Sequence, residues 1–358
     1  MHSTRPLVAL GVLALATTLA ACGGGSNDGS NNGGGSSGAL VFASAGGTAL
    51  DSMTAAFLVP WSKETGNTYA TNPNFDAAKI KVMVDSHNVQ WDVAIADGPT
   101  ARKECGSYFE KLDMSKIDTS GFTPAAKAVI TPCSVPIQRT SEVLAWNKTT
   151  VHQPITSWAD FFNPAIPGKR AVPAILPQYL GTFEIAMVAA GKPPYPIDYD
   201  VVKAQFDKIK KDIVYFQTPA QLQQFLQSGS VDMAMALTTR LAAAAASTSD
   251  LKFDYTWKNA WTYFDNLAVI KGAPHVTEAT SLLNYAVSDK GQQAYLKIYP
   301  VGSVLGDVSG EDAPATVSKY RQSAAQFTAD DAINRDDAWW TENLDKGLAF
   351  WTSYTSGS

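Results

Sequence analysis

Apolar positions change their period several times along this chain. A mainly apolar run from Leu7 to Ala21 follows a single cation, Arg5. Residues 23–38 are then Gly, Ser and Asn with one Asp, and contain no large apolar side chain. From Ala39 onward short apolar stretches alternate with amphipathic ones. Leu40–Ala43 predicts a strand, ended by the turn-forming run Ser44–Thr48. Met53, Phe57 and Leu58 share one face of a helix that runs to Glu64 and stops at Gly66. Trp91–Ala96 reads as a strand broken by Asp97-Gly98-Pro99. A short helix follows at Trp158–Phe162, capped by Thr156 or Ser157 and stopped at Pro164. Val202, Phe206, Ile209 and Ile213 recur at the spacing of one buried helical face. Thr218-Pro219-Ala220-Gln221 supplies an N-cap, a proline at N1 and a capping-box glutamine, and Gly229 ends that helix. Val231–Leu237 alternates as a strand; Arg240 and the run Ala242–Ala246 resume as helix. Tyr263–Ile270 is a further strand, broken at Lys271–Pro274, and Thr277 caps a helix carrying Leu282, Leu283, Ala286 and Val287.

Strands separated by helices of this length predict an α/β protein with largely parallel sheet. Ligands of such sheets bind beyond the carboxyl ends of the strands. The turns at 44–48, 97–100, 237–240 and 263–266 are therefore the places to look for function. The body of about 320 residues suits two lobes better than one core. The leading apolar run is shorter than the roughly 20 residues a bilayer span requires, and its length fits a signal peptide over residues 1–21. It ends Leu19-Ala20-Ala21-Cys22, which resembles the lipobox of bacterial lipoproteins. That resemblance implies cleavage before Cys22 and a lipid on its thiol. Residues 22–38 then form a flexible tether.

Composition narrows the chemistry. The chain has 28 basic and 33 acidic residues, a formal charge of −5, with no basic stripe, which argues against a nucleic-acid partner. With Cys22 taken by lipid, Cys105 and Cys133 remain, and an even pair in an exported body reads as a disulfide. His87, His152 and His275 are isolated and read as solvated or capping residues, so no metal or other cofactor is expected. No nucleophile elbow or Cys-His setting is present, and Asp336-Asp337 reads as a solvated helix start. Trp257, Trp261, Tyr263 and Phe264 crowd ahead of Asp265. Rings beside a carboxylate suit an organic cation, through cation–π attraction and a charged acceptor. The alternative is that these rings pack the core. Trp339, Trp340 and Trp351 are expected to pack.

Several stretches resemble one family. They are Trp91–Asp97 with Cys105–Asp113, Thr156–Pro164 with Pro167–Arg170, Val231–Leu237, and Asp265–Pro274 ahead of Asn284-Tyr285-Ala286. In order and spacing they are similar to bacterial extracellular solute-binding proteins of ABC importers, in the branch of the spermidine/putrescine-binding proteins. The resemblance spans most of residues 40–305. It implies a two-lobed periplasmic-binding-protein fold of type II character, with ligand held between the lobes. The strands that cross between lobes fall near 138–146 and 257–266. One lobe comprises 39–140 with 264–305, and the other 141–263 with 306–358.

Carried over residue by residue, the resemblance places ligand contacts on Ser44, Ala45 and Gly46, on Asp97 and Gly98, and on Thr238 and Arg240. The aromatic and acid of polyamine binders fall on Tyr263 and Asp265. Their second acidic pair falls on Gln178 and Gly181, with both charges lost. That loss, with Arg240 nearby, favours a smaller cationic or zwitterionic solute over a long polycation. The function implied is capture of a small organic solute for a membrane permease, by a monomer held by its lipid in the periplasm or at the cell surface. A surface-anchored hydrolase and a sensory binding module are the rival readings.

Overall fold

The computed structural model describes residues 38–174, 180–248, 250–308, 310, 312–321, 323 and 331–357. The signal peptide, Cys22, most of the tether and Gln178 lie outside the described residues.

The strands are β1 (Leu40–Ala43), β2 (Tyr69–Asn72), β3 (Val93–Asp97), β4 (Ser134–Asn147), β5 (Arg170–Pro173), β6 (Ile213–Phe216), β7 (Met233–Leu237), β8 (Phe253–Val269) and β9 (Ile333–Asn334). They run in the order β2-β1-β3-β8-β4-β7-β5-β6, with β9 added beside β8. β1 pairs in parallel with β2 and β3, and β5 pairs in parallel with β6 and β7. β4 and β8 are antiparallel to each other, and β8 and β4 are antiparallel to β3 and β7 respectively. In each parallel trio the chain turns one way from the central strand to an outer neighbour and the other way to an inner one. This creates a topological switch point beside β1 and another beside β5.

β4 and β8 join the two trios. Val143 to Tyr263, with Tyr320, Ile333, Trp340, Leu344 and Trp351, supply one apolar core. Residues from Leu40 to Ile137 and from Phe264 to Val308 supply the other, with a satellite around Trp91, Phe109 and Ile270. The neighbours Tyr263 and Phe264 thus face different cores. β3, β5 and β7 are buried at every position, as strands covered by helices on both faces should be.

Most expected elements form. Gly66 closes its helix with φ 76°, the left-handed conformation that glycine adopts without steric cost. Thr218 accepts from the Gln221 N–H at 3.2 Å, and Gln221 reaches back to the Gln217 N–H at 2.7 Å. Four expectations are corrected. Asp97-Gly98-Pro99 is not a plain turn, because Asp97 caps a helix, Gly98–Lys103. Ile213 is not on the helix of Val202, which ends at Ile209; a turn at Lys210–Asp212 releases Ile213 into β6. The strand of Tyr263 begins ten residues earlier, at Phe253, because pairing with β4 holds polar positions that alone do not read as strand. The helix of Leu282 starts at Val276, and its cap position is His275, not Thr277. His275 is buried, with its ring Nδ1 3.1 Å from Asp92.

Cys105 and Cys133, 28 residues apart in sequence, form a disulfide. It ties the segment after Gly98–Lys103 to the residue just ahead of β4. Closing a loop of this length stabilises the fold by about 3–4 kcal/mol on the chain-entropy view. Replacing both cysteines by serine should lower the unfolding free energy by roughly that amount. Denaturant titration checks this, and an unchanged midpoint would mean that the bridge is not contributing.

Candidate functional site

The site is built on one face of the joining strands. Side chains directly opposite one another on antiparallel strands project to the same face, and alternate residues stay on it. Asp265 lies opposite Gln138, Tyr263 opposite Thr140, and Trp261 opposite Glu142. Asp97 of β3 lies opposite Asp265 on its other side. One strip therefore runs from Asp97, Asp265 and Gln138, through Tyr263 and Thr140, to Trp261 and Glu142. Its first end lies at the carboxyl end of β3. Its second end abuts Leu237, the last residue of β7.

At the first end two donors converge on one oxygen. Gln138 Nε2 donates to Asp265 Oδ2 at 2.6 Å, and the Thr140 hydroxyl donates to the same oxygen at 2.9 Å. Asp265 Oδ1 is buried and finds no hydrogen-bond partner among the described residues. Burial raises the Asp265 pKa, opposed by these two hydrogen bonds and by Arg335. Burial also raises that of Asp97, opposed by Arg335. Arg335 lies 5.0 Å over the Tyr263 ring, donates to Asp337 at 2.5 Å and reaches the Phe264 carbonyl at 3.3 Å. Burial alone would lower its pKa; Asp337, Asp97 and Tyr263 outweigh this and raise it, so Arg335 stays charged. Asp337 packs so close to Gly98 that a side-chain carbon there would overlap its Oδ2. Asp337 is thus a buried ion-pair partner and not a solvated helix residue.

Arg240 lies in the first turn of the helix Thr238–Ser247. Its Nη1 donates to the Thr48 hydroxyl at 3.2 Å, linking the helices that follow β7 and β1. Its Nε is buried with no partner among the described residues. Arg240 and Asp265 both act electrostatically on Tyr295 and Tyr299, so the two charges serve one neighbourhood. Ser44 is buried at the end of β1 and Thr238 at the end of β7. Ala45 is bridged to Asn74, and Gly46 packs on Pro73, in the turn after β2.

At the second end Glu142 is fully buried and accepts the Gly181 N–H at 2.8 Å. Gly181 caps the helix Thr182–Ala189 and lies flat against Trp261, whose ring a side-chain carbon would strike. Burial pushes the Glu142 carboxyl up to about 8, a rise the Gly181 N–H opposes and Glu184 reinforces. Glu184 is buried too, and accepts from Trp340 Nε1 at 2.8 Å and from the Tyr195 hydroxyl.

Of the residues that sequence reasoning nominates, Asp97, Tyr263 and Asp265 fall on this strip and Arg240 lies in the same electrostatic neighbourhood as Asp265. Sequence reasoning does not single out Gln138, Thr140, Glu142 and Arg335. The first three lie in a strand whose polar residues have no motif, and their only signal is polarity at alternate positions. Arg335 carries none, since its partner ring is 72 residues away in sequence.

Comparison with known proteins agrees with this architecture. Residues 63–325 match the family model described as bacterial extracellular solute-binding protein. The chain is 29% identical over 278 residues to a gamma-aminobutyric acid-binding protein of Pseudomonas aeruginosa, covering 74% of this chain and 76% of that protein. Among solved structures it is similar to AgtB of A. tumefaciens R10 in complex with agropinic acid. The identity is 28% and the TM-score 0.79, covering 90% of this chain and 100% of that one. A structure described as the Atu4243-GABA receptor gives 28% and 0.78, covering 88% and 97%. The chain belongs to the bacterial extracellular solute-binding protein family. It has the two-lobed periplasmic-binding-protein fold, is a substrate-binding protein of the ABC-transporter class for a small ligand, and is not an enzyme.

The unfolded chain loses a glutamate proton near 4.5, whereas folded Glu142 keeps its proton to about 8. Between these values the folded state binds more protons, so the Glu142 contribution to stability falls as pH rises, by on the order of 1 kcal/mol per unit. Ligand-free Glu142→Gln should therefore gain stability relative to the parent from pH 5 to pH 8. Melting curves across that range check this, and a constant difference would mean that Glu142 does not titrate there.

Proposed function

We propose that this protein captures a small amino compound, cationic or zwitterionic, and presents it to a membrane permease. Asp265 holds the ammonium group and Arg240 holds a carboxylate where the solute has one. The observation that carries the reading is the pair of buried, unpartnered atoms of opposite charge, Asp265 Oδ1 and Arg240 Nε. Each is an incomplete hydrogen-bonding group, which costs free energy until a ligand completes it. Tyr263 offers a ring beside the acid, and Asp97 adds negative potential tempered by Arg335. Ser44, Ala45 and Gly46 after β1, and Gly98 and Thr238 at the first helical positions after β3 and β7, complete the strand ends around the ligand. Gln178 is proposed as a further contact.

The Pseudomonas relative is named for gamma-aminobutyrate, and Atu4243 is described as a receptor for the same compound; both support an amino-acid-like ligand. A zwitterion uses both Asp265 and Arg240. A polyamine such as putrescine uses the acid alone and leaves Arg240 opposed to its charge. The lobes divide as 39–140 with 264–305 and 141–263 with 306–358, and ligand favours the state in which they close. Cys22 carries a lipid, which keeps the monomeric receptor near its permease at raised effective concentration.

Thermal-shift and calorimetric titration with gamma-aminobutyrate, other amino acids, putrescine and spermidine test the reading. At least one amino compound should raise the melting temperature. Asp265→Asn should weaken it by about 10- to 100-fold, the worth of a charge-assisted hydrogen bond. Arg240→Gln should weaken zwitterions and leave putrescine unchanged or tighter. The reading fails if no compound shifts the protein, or if Asp265→Asn binds as the parent does.

A further inference from the structure

The second end of the strip is not used by that reading, yet it too is incomplete. Glu142 Oε1 and Trp261 Nε1 are both buried and both lack a hydrogen-bond partner among the described residues. They lie on opposed residues of β4 and β8, and both flank Gly181. Glu142 is also opposite Leu237, so the pair lies at the carboxyl ends of β5 and β7, the second switch point of the sheet. Glu142 is four positions along β4 from Gln138, the partner of Asp265, or about 13 Å of extended strand.

The chemistry of the pair selects its ligand group. The indole N–H can only donate, and needs an acceptor. An ammonium group offers none. The Glu142 oxygen can donate while it holds a proton and accept when it does not. A hydroxyl both donates and accepts, so it can satisfy the indole and meet the carboxyl in either state.

We infer that Glu142 and Trp261 form a second polar subsite of the cleft, which takes a hydroxyl group at the far end of an elongated solute whose amino-acid-like head lies at Asp265 and Arg240. The inference rests on the head-group reading above and extends it. The ligand class is then an amino acid bearing a hydroxylated extension. Neighbouring Glu184 offers the competing account, in which two buried carboxyls share a proton for stability alone.

Calorimetric titration of the whole protein separates these accounts with four probes: gamma-aminobutyrate, its N-hexyl derivative, the secondary amine made by reductive coupling of glucose to gamma-aminobutyrate, and spermidine. The polyol conjugate should bind at least tenfold tighter than gamma-aminobutyrate and than the N-hexyl derivative. Glu142→Leu and Trp261→Phe should each reduce conjugate affinity five- to tenfold and leave gamma-aminobutyrate within twofold. Glu142→Leu is close in volume, removes both hydrogen-bonding atoms, and keeps the test alive if Trp261→Phe does not fold. The subsite is overturned if the conjugate binds no better than the N-hexyl compound, or if the variants weaken both ligands equally. It is also overturned if Glu142→Leu and Glu184→Gln shift only the melting temperature, which supports proton sharing. A Glu142-dependent gain for spermidine would assign the subsite to a cation instead. Binding of gamma-aminobutyrate with no gain for the conjugate leaves the head-group reading standing while the subsite falls. Binding of neither removes both.

Discussion

Everything in this molecule depends on the pairing of β4 with β8. Two strands of 14 and 17 residues run side by side through both cores and connect the parallel trios on either side. A strand this long has to serve two interiors in turn. The adjacent residues Tyr263 and Phe264 show how closely the two are spaced, each packing into a different core. The same pairing aligns the polar residues of both strands into one buried strip, which neither strand could form alone.

Burying that strip is costly, and the surrounding structure limits the cost unevenly. Arg335 pairs with Asp337, offsets part of the cost of burying Asp97, and lies over the Tyr263 ring. Gln138 and Thr140 satisfy one oxygen of Asp265 and leave the other open. Gly181 satisfies one oxygen of Glu142 in the same half-complete way. A fold selected for stability alone would complete these groups or replace them by apolar ones. On the proposed reading, the unfilled hydrogen-bonding position on each acid is the one a ligand completes.

The legibility of the sequence follows from the range of each interaction. Helices with local caps, such as those begun by Thr218 and ended by Gly66, are written in a few consecutive residues and form as read. β8 is legible only from Tyr263 onward, where it is apolar. Its first half is held by a partner more than a hundred residues away. Asp97 and Arg240 are visible because they sit at strand ends that a topological rule singles out, whereas Asp265 lies inside β8 and is legible only through the rings that precede it and the family resemblance. Glu142 is hidden in mid-strand, and Arg335 becomes meaningful only when the last segment of the chain folds back over Tyr263. Asp337 is misread as solvated for a related reason, since its ion pair with Arg335 makes burial possible. His275 takes one of its two expected roles, a cap position, but is buried against Asp92, a pairing that nothing adjacent in sequence announces.

The β4–β8 ladder has two register irregularities, one between Pro136 and Gln138 and one between Glu142 and Leu144. They bracket the stretch that carries Gln138, Thr140 and Glu142. Ahead of the first, the Cys105–Cys133 bridge clamps the start of β4 to its own side. Between the two irregularities the ladder keeps one register, so the side chains of Gln138, Thr140 and Glu142 follow one another at the regular spacing of alternate strand positions. On the proposed reading, Asp265 and Glu142 are two marks on a ruler whose scale this uninterrupted register sets.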